Sequence, residues 1–165
     1  MKITKQWLKK HNACSEGIKA FCKQKETDST KILKLLIKSN EKEKLEWANW
    51  LIVKLFRNNK QRISYVIFVA KLVLNIFEEK YPGDLRPRKA IEAAEKCLKN
   101  PSQKNRVVAA YAADAYSAAS AAYDASAYSA ASAAYDAYSA ASAANAADDY
   151  NKTLIKILKY GLTLL

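Results

Sequence analysis

Residues 108–149 form a low-complexity stretch rich in Ala, Ser and Tyr that contains neither Gly nor Pro. The decamer AYSAASAAYD occupies 115–124 and again 127–136, and a near copy fills 137–146. Because Ala is the strongest helix former and no helix breaker intrudes, we predict that this stretch is helical rather than disordered. A single rod would project about 60 Å at 1.5 Å per residue, so one long helix competes with an antiparallel pair that breaks near Ser126.

The rest of the sequence also predicts helices, because no run of residues alternates apolar and polar side chains between turn signals. We expect a single all-α domain over 1–165, a compact multi-helix bundle. Its parts are basic amphipathic helices in 1–80, a Pro/Arg turn with a connecting helix in 81–101, the Ala-rich region in 102–149 and a C-terminal helix in 150–165.

Polar residues of the type that caps helix N-termini mark the predicted helix starts in the first half of the chain. These residues are Ser15, Asp28 or Ser29, and Asn40, the last followed by acidic residues at 41 and 43. Asn58 and Asn59 then interrupt the chain before a core helix at about 61–80. The apolar window within that helix is too short to span a bilayer, so we expect no membrane partner.

The segment 81–88, which reads YPGDLRPR, is the clearest break in the helical pattern. Pro82 and Gly83 predict the end of one helix. Pro87 suits the first turn of the next helix, where its missing N–H costs nothing. A second break, at 100–101, predicts the end of that helix.

Three cations follow this break and form the best candidate binding site. Arg86, Arg88 and Lys89 would cluster at a helix N-terminus, where free backbone N–H groups already favour an anion. Arginine can hold a phosphate through two parallel hydrogen bonds. The alternative is structural: Asp84 caps the helix and pairs with one of the arginines.

Charge is distributed unevenly along the chain. Residues 1–107 contain 25 Lys or Arg against 11 Asp or Glu, a net charge of +14, whereas 108–149 carry a net charge of −5. A basic body with an acidic arm suits an anionic partner or self-association between the two parts. The alternative is that the lysines mainly keep the surface soluble. Charge alone also allows nucleic acid as a partner, but no helix-turn-helix or basic stripe points to it.

Aromatic side chains could supply the walls of a ligand pocket. Trp47 and Trp50 lie three residues apart on one predicted helix face, and Tyr111, Tyr116 and Tyr123 belong to the Ala-rich region. A flat ring can contact a base, and a tyrosine hydroxyl can reach a phosphate or sugar. The alternative is that all these rings fill the core.

Residues with catalytic or metal-binding chemistry are scarce. The chain has one histidine, His11, and no Ser elbow, Cys–His signature or Gly-rich phosphate loop. We therefore predict no catalytic residue, no metal site and no cofactor. The odd set of cysteines, Cys14, Cys22 and Cys97, with no secretory signal, predicts free thiols in a reducing cytoplasm.

Two segments carry a resemblance to a known family. The run YPGDLRPRKAIEAA at 81–94, followed by Ala-rich sequence and preceded by WANWL at 47–51, resembles bacterial and phage proteins labelled "putative immunity protein". These are the immunity-protein-five-like helical proteins of polymorphic toxin systems, and the likeness extends over about 45–165. The resemblance implies a small cytoplasmic inhibitor that binds rather than catalyses. Many relatives carry Arg and His in the Ala-rich helices, where this sequence has Tyr, Ser and Asp.

Three functions are compatible with these observations. The first is a phage counter-defence protein, acting in the bacterial cytoplasm, that sequesters an anionic immune signal such as a cyclic or ADP-ribose-type nucleotide. The second is an immunity protein that neutralises a cognate toxin by direct protein binding. The third is a structural homo-oligomer of helices built by the Ala-rich arms.

Overall fold

The computed structural model describes residues 1–106, 108–109 and 147–165. In these residues the fold is all-α and multi-helix, which confirms the predicted class. Residues 110–146 lie outside the described residues, and the prediction of one helix or two in the Ala-rich region concerns them. The helices are α1 (Lys5–Lys10), α2 (Ser15–Lys23), α3 (Ser29–Ser39), α4 (Lys42–Leu55), α5 (Asn59–Lys80), α6 (Arg86–Lys99) and α7 (Ala147–Leu164).

The predicted Asp28 cap is confirmed by its hydrogen bonds, and the predicted interruption at Asn58 contains the cap of the next helix. The Asp28 carboxylate accepts from the backbone N–H groups of Thr30 and Lys31, at 3.0 and 3.1 Å, and begins α3. Asn58 begins α5 through a capping box with Gln61, in which each side chain accepts from the other residue's backbone N–H. Both caps satisfy donors that would otherwise lack a partner in the first helical turn.

Two other predicted caps are wrong by one residue. The cap of α2 is Cys14, whose sulfur accepts from the N–H of Gly17 at 3.3 Å, and Ser15 is already helical. Asn40 does not start α4. It ends α3 in the left-handed conformation at φ 55°, which Asn tolerates better than most residues. Glu41 precedes α4 and makes no side-chain capping hydrogen bond.

The core lies around α4, which packs against α3 and α7, while α7 also packs along α5. Its fully buried members are mostly aliphatic: Ile3, Leu33, Leu45, Ile52, Leu154, Ile157 and Leu158. At the centre the hydroxyl of Tyr65 donates to the Asn49 side-chain oxygen at 2.6 Å. The C-terminal helix predicted at 150–165 therefore does close the core, as expected.

Gly161 on α7 marks the closest approach between helices. A Cβ atom there would lie 2.8 Å from the Tyr65 ring and 2.9 Å from Ile52. Only glycine fits at such a distance without displacing its neighbours.

The first residues of the chain are fixed to α3 by backbone hydrogen bonds. Ile3 N–H donates to the Thr27 carbonyl at 2.7 Å, and Ser29 N–H donates to the Met1 carbonyl at 2.8 Å. Ile3 is thereby held in the core, with 1% of its surface exposed. Helices α1 and α2 then cover one side of α4.

Helices α5 and α6 form an antiparallel hairpin. Helix α5 ends at Lys80, Gly83 takes a positive φ of 98°, and Pro87 lies in the first turn of α6. These features confirm the helix boundaries predicted from the two prolines. Helix α6 packs along the second half of α5. Among the residues that the structure describes, no helix is long and apolar enough to cross a membrane.

Candidate functional site

The turn between α5 and α6, residues 81–89, is called the hairpin turn below. Asp84 is its central carboxylate. One of its oxygens accepts from the backbone N–H of Arg86 at 3.1 Å and from the Arg86 Nε at 2.8 Å. The other oxygen accepts from an Arg86 terminal nitrogen at 2.5 Å. The guanidinium hydrogen bond holds the pKa of Asp84 at about 2 and raises the pKa of Arg86.

A second arginine fork joins the two helices of the hairpin. Arg88 on α6 donates to both carboxylate oxygens of Glu78 on α5, at 2.7 and 2.6 Å. This hydrogen bond lowers the pKa of Glu78 and raises that of Arg88. Further along the same hairpin, Lys71 pairs with Glu95 at 2.6 Å. The two ion pairs are consistent with one antiparallel register of α5 against α6.

These contacts bear on both interpretations of the cationic cluster. Asp84 does pair with an arginine, as the structural alternative predicted, although the residue at the N-cap position is Leu85. The guanidinium groups of Arg86 and Arg88 each donate two hydrogen bonds to a carboxylate of the same chain. Of the three predicted cations, Lys89 alone forms no ion pair within the described part of the chain. An incoming phosphate would have to displace Asp84 or Glu78 to gain a bidentate partner.

The hairpin turn exposes apolar surface beside its paired charges. Leu85 is 50% exposed and Tyr81 is 42% exposed, and the Tyr81 ring packs against Phe77 with centroids 4.9 Å apart. Pro82 and Gly83 between them are also exposed. The turn therefore presents an aromatic and an aliphatic side chain beside its paired charges.

The two predicted tryptophans belong to another part of the molecule. Trp50 on α4 meets Trp7 of α1 edge to face, with centroids 6.1 Å apart, and packs against the core. Trp47 lies beside Gly17 of α2. Both indoles are half-buried between α4 and the helices α1 and α2. The described contacts of Trp47 and Trp50 are with α1, α2 and the core, so the role of these rings as walls of a ligand pocket stays a prediction.

The remaining predicted contacts, Tyr111, Tyr116 and Tyr123, lie outside the described residues. His11, the one histidine of the chain, stacks on Trp7 at 4.0 Å, and its Nδ1 lies 2.8 Å from the Trp7 carbonyl oxygen. Within 1–106, 108–109 and 147–165, no group of three His, Cys, Asp or Glu side chains is placed to hold a metal ion.

Sequence reasoning missed Glu78, Tyr81 and Leu85 as parts of this site. Glu78 lies ten residues before Arg88, a separation that carries no signal until the hairpin register is known. Tyr81 and Leu85 flank the Pro–Gly pair, and exposed apolar residues around a turn were the available signal.

Comparison with known proteins places the hairpin turn inside a family region. Residues 57–160, more than half of the chain, match the sequence model of the family described as "Imm-5 like putative immunity protein". No curated protein and no solved structure matches the chain. The match includes α5, the hairpin turn, α6 and most of α7, and it begins after Trp47 and Trp50, later than the resemblance at 45–165 implied. The chain therefore belongs to the Imm-5 like immunity protein family.

Proposed function

We propose that this protein is a non-catalytic immunity protein that neutralises a cognate toxin by binding it directly, with the hairpin turn as the principal contact. The single observation that carries the proposal is the family match, which contains the whole turn. The geometry of the turn supports protein binding more than binding of a free phosphate.

The hairpin turn has the composition of a protein-binding hot spot. Aromatic residues and arginine are enriched at the energetic centre of protein interfaces, with polar groups around them. Here Tyr81 and Leu85 are exposed beside two arginines. The bidentate pairs with Asp84 and Glu78 fix the turn before a partner arrives, which reduces the ordering cost of binding.

The absence of an enzymatic role is part of the proposal. A general acid or base works best with a pKa near the working pH. The Asp84 and Glu78 pKa values are shifted down, away from that range, by their arginine partners. These carboxylates suit structural pairing better than proton transfer.

Sequestration of a nucleotide signal in a phage counter-defence role is the second candidate. It is favoured by the net charge of +12 and by the unpaired Lys89 at the start of α6. Bidentate binding of a nucleotide phosphate would have to displace Asp84 from Arg86 or Glu78 from Arg88, because both guanidinium groups already hold a carboxylate.

The test of the toxin hypothesis is co-expression with toxins encoded beside the gene, followed by calorimetric titration of the purified pair. We expect rescue of growth and a tight complex. Tyr81→Ala and Leu85→Ala should each weaken binding by about tenfold or more, the loss of roughly 1.4 kcal/mol typical of a hot spot. Ile63→Ala, which truncates another exposed apolar side chain of the family region, serves as the matched control.

A panel of cyclic and ADP-ribose-type nucleotides separates the two candidates. A saturable, stoichiometric rise in melting temperature that Arg86→Ala and Arg88→Ala abolish would establish nucleotide sequestration and refute toxin binding through the turn. Toxin binding that survives both Tyr81→Ala and Leu85→Ala would likewise remove the turn as the contact.

A further inference from the structure

Helix α3 carries an exposed face that the fold does not use. Lys31, Lys34, Leu35 and Lys38 are spaced so that they lie on one side of the helix, and all four are exposed. We call these four residues the α3 outer face. Leu35 is 58% exposed, the highest value among the large apolar side chains of the described residues.

The opposite side of α3 accounts for its position in the fold. Leu33 is completely buried, and Ile32, Leu36 and Ile37 pack against the core. The Asp28 cap and the backbone hydrogen bonds to the first residues of the chain fix the start of the helix. The buried side of α3 and the contacts at its N-terminus hold the helix in place, and the exposed Leu35 side chain is not needed for its packing.

The charged residues of the α3 outer face are all lysines, and Lys31 pairs with Glu26 at its N-terminal end. Residues 1–40 contain ten lysines, no arginine and three carboxylates. Each carboxylate already has partners: Glu16 accepts from Ser15, Glu26 from backbone N–H groups beside Lys31, and Asp28 from the α3 N-terminus. Lys34 and Lys38 form no ion pair within the described part of the chain.

This surface lies outside the part of the chain that matches the family. The match begins at residue 57, and the α3 outer face ends at Lys38. The α3 outer face therefore lies outside the matched region, and it is separate in sequence from the hairpin turn.

We propose that the α3 outer face is a second interaction surface, which docks an acidic protein segment bearing an apolar side chain against Leu35. A central apolar contact with a charged rim is the usual anatomy of a protein interface. The unpaired lysines give the rim a positive potential, which selects an acidic partner and speeds its encounter. This inference is independent of the proposed toxin contact at the hairpin turn.

The chemistry of the face favours a protein over a nucleic acid or a membrane. Lysines can neutralise phosphates, but the face has no arginine, the first of which is Arg57, and so lacks the planar fork that recognises phosphates and base edges bidentately. Binding of single strands uses exposed aromatic platforms, whereas Trp7 and Phe21, the aromatic residues of 1–40, pack against the core. A helix lying in a membrane surface needs a broad apolar face, and Leu35 is a single apolar residue.

The experiment uses the full chain and two synthetic helical peptides of equal length and negative charge. One peptide has glutamates with leucines along one face, and the other has serines in place of the leucines. We expect the leucine-bearing peptide to bind, with amide chemical-shift changes in α3 on NMR titration. Leu35→Ser and the pair Lys34→Glu with Lys38→Glu should each weaken binding by about tenfold or more.

The matched control is the pair Lys156→Glu with Lys159→Glu, which makes the same change of charge on exposed positions of α7. It should leave most of the binding intact. Equal loss in the control, equal binding of both peptides, or binding of neither would overturn the proposal. Tighter binding of a single-stranded RNA of the same length, lost in the α3 variants, would replace the acidic protein by nucleic acid. None of these outcomes affects the toxin test, which depends on Tyr81 and Leu85.

Discussion

The two halves of α5 are held by different forces. In residues 59–70 one side of the helix faces the core, where Tyr65 and Val69 are buried against α4 and α7. From Lys71 onward the helix packs against α6, and the pairs Lys71–Glu95 and Glu78–Arg88 join the two at the surface. No described residue of α6 belongs to the main core cluster.

This difference predicts two levels of stability within one helix. Burial of apolar surface is the main stabilising contribution to folding, whereas exposed ion pairs contribute little. Segments with few buried apolar contacts open more readily than the core. The hairpin turn, which holds the proposed toxin contact, is therefore attached to a stable bundle through a less stable extension.

The largest expected effect comes from the same substitution made in each region. Leu158→Ala removes a completely buried side chain of the main core and should lower the free energy of unfolding by about 2–5 kcal/mol. The matching substitution is Leu74→Ala. The Leu74 side chain lies between the two ion-paired positions of α5, is 9% exposed and is outside that core. This substitution should cost less and mainly increase opening of α6.

Urea denaturation measures the first effect, and amide hydrogen exchange along α6 measures the second. Lys159→Ala, next to Leu158 but exposed, is the control and should leave stability nearly unchanged. An equal global loss in Leu158→Ala and Leu74→Ala would show that the hairpin and the core unfold as one unit.

The sequence was sufficient for features that depend on neighbouring residues. The all-α class, the Asp28 cap, the interruption at Asn58 and the helix boundaries set by Pro82 and Pro87 all follow from local propensity, and all are confirmed. Local rules failed where two candidate caps competed. Cys14 took the position expected of Ser15, because a thiol can also accept a backbone N–H.

Contacts between distant residues could not be predicted from the sequence. The fork of Arg88 is occupied by Glu78, which depends on the antiparallel register of α5 and α6. Trp50 is covered by Trp7, more than forty residues earlier, so its partial burial depends on how α1 packs. For this reason the occupied arginine forks and the surroundings of Trp50 could not be predicted from the sequence.

A smaller effect is expected from Tyr65→Phe, which probes the polar contact inside the core. The variant leaves the buried Asn49 oxygen without its 2.6 Å donor, and should cost about 1–3 kcal/mol. Urea denaturation at neutral pH measures this loss. Phe56, whose ring meets Tyr65 edge to face, should keep its contact, since the ring is retained.

The Tyr65 hydroxyl also gives the core a dependence on high pH. Burial raises the pKa of Tyr65 above its ordinary value of 10.0. The folded state then keeps the proton when the unfolded state has lost it, so the contribution is fully present below pH 10 and declines as the pH rises further. The stability difference between wild type and Tyr65→Phe should therefore shrink above pH 10. A constant difference would contradict burial of the neutral hydroxyl.

The smallest effect is expected at the hairpin turn in acid. Arg86 holds the pKa of Asp84 at about 2, below its ordinary value of 3.8, so the carboxylate stabilises the turn above that ordinary value and loses its effect as the pH falls towards 2. Glu78 has its pKa lowered by Arg88 and should respond in the same direction. Amide and side-chain NMR signals of Arg86 and Arg88 should shift in this range, while signals of the buried core stay unchanged.

Asp84→Asn should remove the response of Arg86 and retain that of Arg88. Titration of Asp84 and Glu78 at their ordinary pKa values would show that they are not paired with the arginines in solution. Arg86 and Arg88 would then be free to bind an anion, as predicted from the sequence.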